Sequence, residues 1–593
     1  MLAESVASLL HHCAKTRGFR HGISLHATAI KAGIQSEVYI GNHILNFYAK
    51  CGHIDSAYSV FDEMSHKNLI TWSAMISGSD QARKSHSTLE LYLQMQKYHK
   101  PNDFIFASAL SSCAALKELK LGQQIHAQVV KLGYQFVCFA VNSLILMYMK
   151  CGMCSNALSI FSDCSISGFL SFVSYNVAIT GAMENERAEK GFEIFKLMGR
   201  QGLVPDCFTF AGLLGGSEPT YDLSVGMQLH CQMVKLGLDY TNFTGNTLIA
   251  MYSKFHLIEE AEMVFRLIRG RDVISWNTLL SACCHCDDES KSLSIFGEML
   301  MDTNVKADDF TYASVLSAAA GLASMRHGME IHAHLIRTRS EWDLGVANAL
   351  VNMYSKSGCI GYAYTVFDRT KYHNLVSWNS IIAGFANHGL AGRAMELYEE
   401  MRGEGLKPDS VTFLGLLIAC NHSGLANEGQ YFFNSMTQVY EITPDIEHFC
   451  CLVDLLGRAG RVKEALDYMS RFPFGDDPIV LGCLLSACRL HGDVIAGEQL
   501  ARRLLKLQPI TTSPYVLLAN LYASNGKWDN VAMARKLLQG SRLKKEPGRS
   551  LIEVKGSVEM FMVGDFSHSR IEEIVNLLCT LDWTGEENLL TYW

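Results

Sequence analysis

The chain has no run of about 18 consecutive apolar residues, the length a membrane-spanning helix needs. No membrane partner is therefore expected. It also lacks an excess of positive charge: 51 Lys and Arg stand against 59 Asp and Glu in 593 residues, a net charge of −8. A polyanion would have to be held in a local groove, not by the field of the whole molecule. Charged residues reach only 19% while hydrophobic ones make up 49%, which excludes a disordered polyelectrolyte and suits a packed chain. Metal-site spacing is missing as well. The 19 cysteines give CxxC only at Cys151–Cys154 and Cys283–Cys286, and neither has a second pair nearby to complete four ligands. No His is followed two residues later by Glu, and none of the 10 prolines precedes Cys. The H-x-E and P-C-x-x-C signature of zinc nucleoside deaminases is thus absent, and no metal, cofactor or catalytic residue is expected. The Gly-rich stretch AGLLGGS at 211–217 lacks the Lys and the strand–loop–helix setting of a phosphate loop.

What is present is repetition. The segment IGNHILNFYAKCGHIDSAYSVF from residue 40 returns as AVNSLILMYMKCGMCSNALSIF from 140, TGNTLIAMYSKFHLIEEAEMVF from 244 and VANALVNMYSKSGCIGYAYTVF from 346. Each copy carries two apolar patterns at helical spacing, with Gly52 between them in the first as a helix stop. That predicts a helical hairpin. One hairpin cannot bury its apolar stripe alone, so stacked copies, a solenoid, are expected. Most cysteines fall in repeat slots: Cys13, Cys113, Cys283, Cys420 and Cys488 close runs like SAC or SSC, where a small buried hydrophobe fits. His126, His230 and His332 likewise share one slot and read as packing residues.

Three kinds of unit alternate in fixed order. Short units span 38–68, 138–171, 242–272, 344–374 and 446–477; standard units span 69–102, 172–206, 273–308 and 375–409. Long units span 103–137, 207–241, 309–343 and 410–445, and residues 1–37 make a first long-type repeat. The start MLAESVASLLHHCAKTRGFRHG, with Glu4 as its single acid, is also similar to an organelle targeting signal.

This triplet order, with phrases such as NALVNMYSKSG and VSWNSIIAGFANHG, resembles the plant pentatricopeptide repeat (PPR) proteins of the PLS class. The resemblance implies an all-α fold, a right-handed α-solenoid superhelix of stacked helix-turn-helix hairpins. It continues into 478–544, where PIVLGCLLSACRLHGDVIAGEQLARRLLKLQP and YVLLANLYASNGKWDNVAMARKLL are similar to the two E extension motifs. Residues 545–593 are similar to the E+ extension, with Arg549 and Leu551 where the family commonly has Cys and Trp. No DYW deaminase domain is expected. A protein of this kind would bind single-stranded organellar RNA as the site-recognition factor for C-to-U editing. A DYW-type deaminase, recruited in trans through 478–570, and small editing-factor proteins would be its partners. The implied location is the mitochondrion, with the chloroplast as alternative. Two other readings remain: an RNA stabilisation or splicing factor without editing, and a protein-binding scaffold of the tetratricopeptide kind, whose unit is also about 34 residues.

In the family the fifth residue of each short or standard unit and the residue closing it meet one base together. Here the pairs are Asn42 with Asn68, Ser73 with Asn102, Asn142 with Ser171, and Asn176 with Asp206. They continue as Asn246 with Asp272, Asn277 with Asp308, Asn348 with Asn374, and Asn379 with Asp409. The resemblance implies uracil for Asn–Asp, cytosine for Asn–Asn, adenine for Ser–Asn and a pyrimidine for Asn–Ser. A carboxamide offers both donor and acceptor to a base edge, so the chemistry is suitable. An Asn before an apolar run is also a good helix cap. Long units carry Ala7, Ala107, Ala211, Ala313 and Leu414 in the same slot, however, so capping alone does not explain the alternation.

Overall fold

The first helix of each hairpin is apolar on a wide face because it is packed from several sides. In Val38–Lys50, Ile40, Gly41, Ile44, Leu45, Phe47 and Tyr48 are all buried, whereas the following helix Ile54–Glu63 buries only Ile54, Ala57 and Phe61. Within each of the chain's two compact units, first helices lie against the first helix of the next hairpin, and second helices flank them. This computed structural model describes residues 2–215, 222–238, 240–339, 341–507, 512–540, 548–554, 557–562, 568 and 570–581. The chain divides into two compact units, Met1–Asp287 and Asp288–Trp593.

The N-terminal unit opens with a hairpin of Leu2–Thr16 and Phe19–Lys31, whose Val6, Ala7 and Leu10 are buried. Residues that resemble a targeting signal are thus packed as the first hairpin. Further first helices begin at Val38, Leu69, Asp103, Cys138, Phe172, Cys207, Asn242 and Val273. In the C-terminal unit they begin at Asp309, Leu344, Leu375, Ser410, Ile446, Pro478 and Ser513. Gly52 makes the hairpin turn with φ of 82°, a left-handed conformation in which glycine has no steric penalty. Arg83 and Lys117 make the corresponding turns of their hairpins at φ of 57° and 55°, so glycine marks this turn without being required for it.

The recurring histidines do more than fill space. His26, His126, His230 and His332 each hydrogen-bond through Nδ1 to a tyrosine hydroxyl of the next hairpin: Tyr48, Tyr148, Tyr252 and Tyr354, at 2.8–3.0 Å. Burial pushes the pKa of His26, His126 and His332 down, against a smaller opposing pull from Glu63 at His26. The backbones meet closely at the same junction. A Cβ on Gly122 would stand 2.5 Å from the Met147 sulfur.

One element departs from the all-helical expectation. Arg549–Val554 pairs antiparallel with Ser557–Met562, Arg549 opposite Met562, before a last helix Ile571–Leu581. The alternation in RSLIEV and SVEMFM across Lys555-Gly556 is a strand pattern, period two, embedded in a helical chain. The tail from 582, within the expected 545–593 extension, lies outside the described residues. Among the described residues no helix is long and apolar enough to cross a membrane.

Candidate nucleic-acid interface

Each fifth-slot residue sits one turn inside its helix, not in front of it. The cap is the closing residue of the preceding unit. Asn68, Asn102, Ser171, Asp206, Asp272, Asp308, Asn374 and Asp409 each accept a backbone N–H from the first turn of the next helix. The polar character of the closing residues therefore has a structural cause of its own, the capping of orphan helix donors.

In four units the fifth-slot side chain is tied into that cap. Asn176 Nδ2 donates to Asp206 Oδ1 at 3.1 Å, and Thr209 Oγ1 donates to Asn176 Oδ1 at 2.7 Å. Asn379 repeats this with Asp409 at 2.9 Å and Thr412 at 2.6 Å, and Asn42 with Asn68 at 3.3 Å and Thr71 at 2.6 Å. Asn142 accepts from Ser174 Oγ at 2.6 Å, while Ser171 meets the same hydroxyl at 3.0 Å.

Asn246, Asn348 and Ser73 are placed differently. Asn246 Oδ1 is buried without a partner, and the Ser275 hydroxyl turns to Asp272 at 2.9 Å. Burial pushes the Asp272 carboxyl up, but the Ser275 backbone and hydroxyl, with Asn242, outweigh it and hold the pKa below the ordinary value. Around Asn348 the Ser377 hydroxyl likewise stays with Asn374, at 3.0 Å. Ser73 and Asn102 line one groove of about 600 Å³ with Asn42, Lys50, Tyr39 and Phe104, without bonding each other. Asn277 belongs to the N-terminal unit and Asp308 to the C-terminal one, where Asp308 caps through the Thr311 N–H at 2.8 Å.

Two features escaped the sequence reading. The second residue of nearly every unit is a large apolar side chain left in solvent: Tyr39, Ile70, Phe104, Phe139, Phe208 and Phe243 in one unit, Phe310, Val376 and Val411 in the other. Neighbours meet in places, Phe208 and Phe243 with centroids 5.2 Å apart. Exposed apolar side chains set beside polar ones form a surface of the kind on which planar rings stack. The signal was an apolar residue at a fixed unit position, hidden inside a longer apolar run. The other feature is charge. Lys50, Lys150, Lys254, Lys356 and Arg458 each end the first helix of a short unit. Lys50 lines the groove with Asn42 and Ser73, while Lys150 is paired with Glu184 at 2.7 Å and Arg458 with Asp454 at 2.8 Å.

The PPR repeat profile matches residues 42–69, 139–169, 173–203, 246–273, 274–302, 346–375 and 447–472, the PPR repeat family profile 373–422, and the E motif 491–553. A pentatricopeptide repeat-containing protein of Arabidopsis thaliana is 34% identical over 571 residues, 96% of this chain and 80% of the relative. A second, 36% identical over 95% of this chain, is longer, and the chain spans only 57% of it. Other Arabidopsis relatives carry "mitochondrial" or "chloroplastic" in their names. Among solved structures, the pentatricopeptide repeat protein PPR10 in complex with an 18-nt psaJ RNA element is 17% identical with a TM-score of 0.58, over 91% of this chain and 84% of that one.

Proposed function

The chain belongs to the pentatricopeptide repeat family, and from that premise we propose that it binds single-stranded organellar RNA sequence-specifically and marks a cytidine for editing to uridine. One observation carries the base-reading part. In the Asn176 and Asp206 pair, Asp206 Oδ1 already accepts the Thr209 N–H and the Asn176 amide and stands 2.9 Å from the Thr209 hydroxyl. Only Oδ2 is left to a ligand. An acceptor there suits the N3–H of uracil and opposes the N3 lone pair of cytosine. In Asn68 the capping oxygen is engaged in the same way, and Nδ2 is left, a donor that suits cytosine N3. Capping thus decides which atom of the closing residue faces a base, and the choice of Asp or Asn decides donor or acceptor.

Taken with the other pairs, and with long units unread, the chain spells 5′-n C A n Y U n U U n C U n-3′ over residues 3–445. The exposed second-slot residues would stack the bases, and the short-unit cations would meet phosphates. Deamination is assigned to a DYW-type enzyme acting in trans through the extension helices Pro478–His491 to Trp528–Gly540. The E motif match at 491–553 supports editing over stabilisation or splicing. The mitochondrion is favoured over the chloroplast by the basic, acid-poor start.

The test is binding of an RNA carrying this string against one with its uridines changed to guanosine, at two salt concentrations. Salt-sensitive preference for the first supports base reading; equal binding ends it. Sequencing organellar transcripts from a plant lacking the chain tests editing. One cytidine downstream of the string must then stay unconverted.

A further inference from the structure

Three residues past each cap lies a side chain that neither the repeat pattern nor base reading accounts for. Thr71, Ser174, Thr209 and Thr412 are fully buried, and a buried hydroxyl without a partner is costly. Each hydroxyl oxygen accepts the cap's backbone N–H or pairs with its side chain, and each has one proton to give. That proton has two acceptors, the side-chain oxygen of the cap and the fifth-slot Oδ1. In the Asn176 unit they stand at 2.9 and 2.7 Å, in the Asn379 unit at 2.9 and 2.6 Å. The carboxamide oxygen is the nearer. With its oxygen on the hydroxyl and its nitrogen on the cap, the amide has one orientation, since the reverse sets its oxygen against a carboxylate.

The repeats themselves carry a comparison. Every fifth-slot Asn is answered by Ser or Thr at this third position of the next unit, from Asn42 with Thr71 to Asn379 with Thr412. Where the fifth slot is Ala7, Ala107, Ala313 or Leu414, the third position is Ile40, Ala140, Val346 or His448. Thr244, after Ala211, is the exception. Helix capping does not require the hydroxyl: Asn102 caps Ile105 and Asp343 caps Val346 without one. The hydroxyl follows the amide, not the cap.

We propose that the third-position hydroxyl is a positioning residue for base discrimination, locking the fifth-slot amide onto the cap so that one cap atom alone is offered to the base. The inference rests on the base-reading function proposed above. It also ranks the units. Those of Asn176 and Asn379 discriminate sharply; those of Asn246 and Asn348, whose hydroxyls stay with Asp272 and Asn374, discriminate less.

The experiment uses the full chain and RNAs of the proposed string with U or C at the nucleotide assigned to 172–206 or to 375–409, read by fluorescence anisotropy. Thr209→Val lowers the U-over-C ratio about tenfold at the first nucleotide and leaves the second unchanged, the size of one lost hydrogen bond at a charged group. Thr412→Val does the reverse, and Thr209→Ser keeps both ratios. Thr244→Val, whose hydroxyl bonds only its own cap Thr241, lowers the melting point and moves neither ratio. Unchanged ratios in both valine variants overturn the proposal, as does an equal change in Thr244→Val. If the wild-type chain itself shows no U-over-C preference, base reading fails first and this role falls with it.

Discussion

The junctions at residues 137/138 and 206/207 join hairpins of the same design with opposite chemistry. At the second, Asn176, Asp206 and Thr209 form a closed hydrogen-bonded set. At the first the same three positions are Ala107, Val137 and Ala140; Val137 makes no cap bond and Ala140 is buried. The helix after Val137 forms nonetheless, because packing, not capping, supplies most of its stability. The polar anchor at this junction is instead His126, on the second helix Leu119–Lys131, with Tyr148 near the end of Cys138–Lys150. One kind of junction places its polar groups where a ligand can reach them, and the other uses them to hold neighbours together.

Transplanting one junction into the other gives the largest expected effect. Ala107→Asn, Val137→Asp and Ala140→Thr together create a uracil preference at a nucleotide that is otherwise unread, worth about 1–3 kcal/mol by competition binding. Asp206→Asn moves its nucleotide from U toward C by a similar amount. An unread position that stays unread after the triple change breaks the comparison.

The structural junction is tested by Tyr148→Phe, which takes away the partner of His126 Nδ1 and costs about 1–3 kcal/mol in urea unfolding. Adding His126→Phe to Tyr148→Leu recovers much of a similar loss, because buried Phe433 and Leu456 fill these positions at the last long-to-short junction. Acidification sharpens the same point. Burial lowers the folded pKa of His26, His126 and His332, so the unfolded chain protonates first. Their contribution to stability is complete above about pH 6.5 and is lost as the pH falls below it. Melting at about pH 7.5 and 5.5 shows a drop that shrinks in the His126→Phe, Tyr148→Leu variant. Asn68→Ala is the smallest, a cap loss of about 1 kcal/mol by thermal unfolding.

Much of the hairpin order could be read from the chain, because recurring Asn, Gly and apolar spacing mark helix starts such as Val38, Cys138 and Leu344. The fifth-slot residues were legible for the same reason. Capping by Asp206 or Asn374 was not, since unit boundaries drawn by repeat phase cut between a cap and its helix. Nor was the link from His126 to Tyr148, 22 residues away in the next unit. The strands Arg549–Val554 and Ser557–Met562 lie beyond the repeats, where the period that guided everything else had ended.

The most direct test of base reading at alternate junctions is selection of bound RNAs from a randomised pool, scored position by position. Sequence preference must rise at nucleotides facing the Asn and Ser units and vanish at each nucleotide facing a long unit, giving a profile with a period of three. A flat profile, or preference strongest opposite the Ala107 and Ala313 junctions, would contradict it.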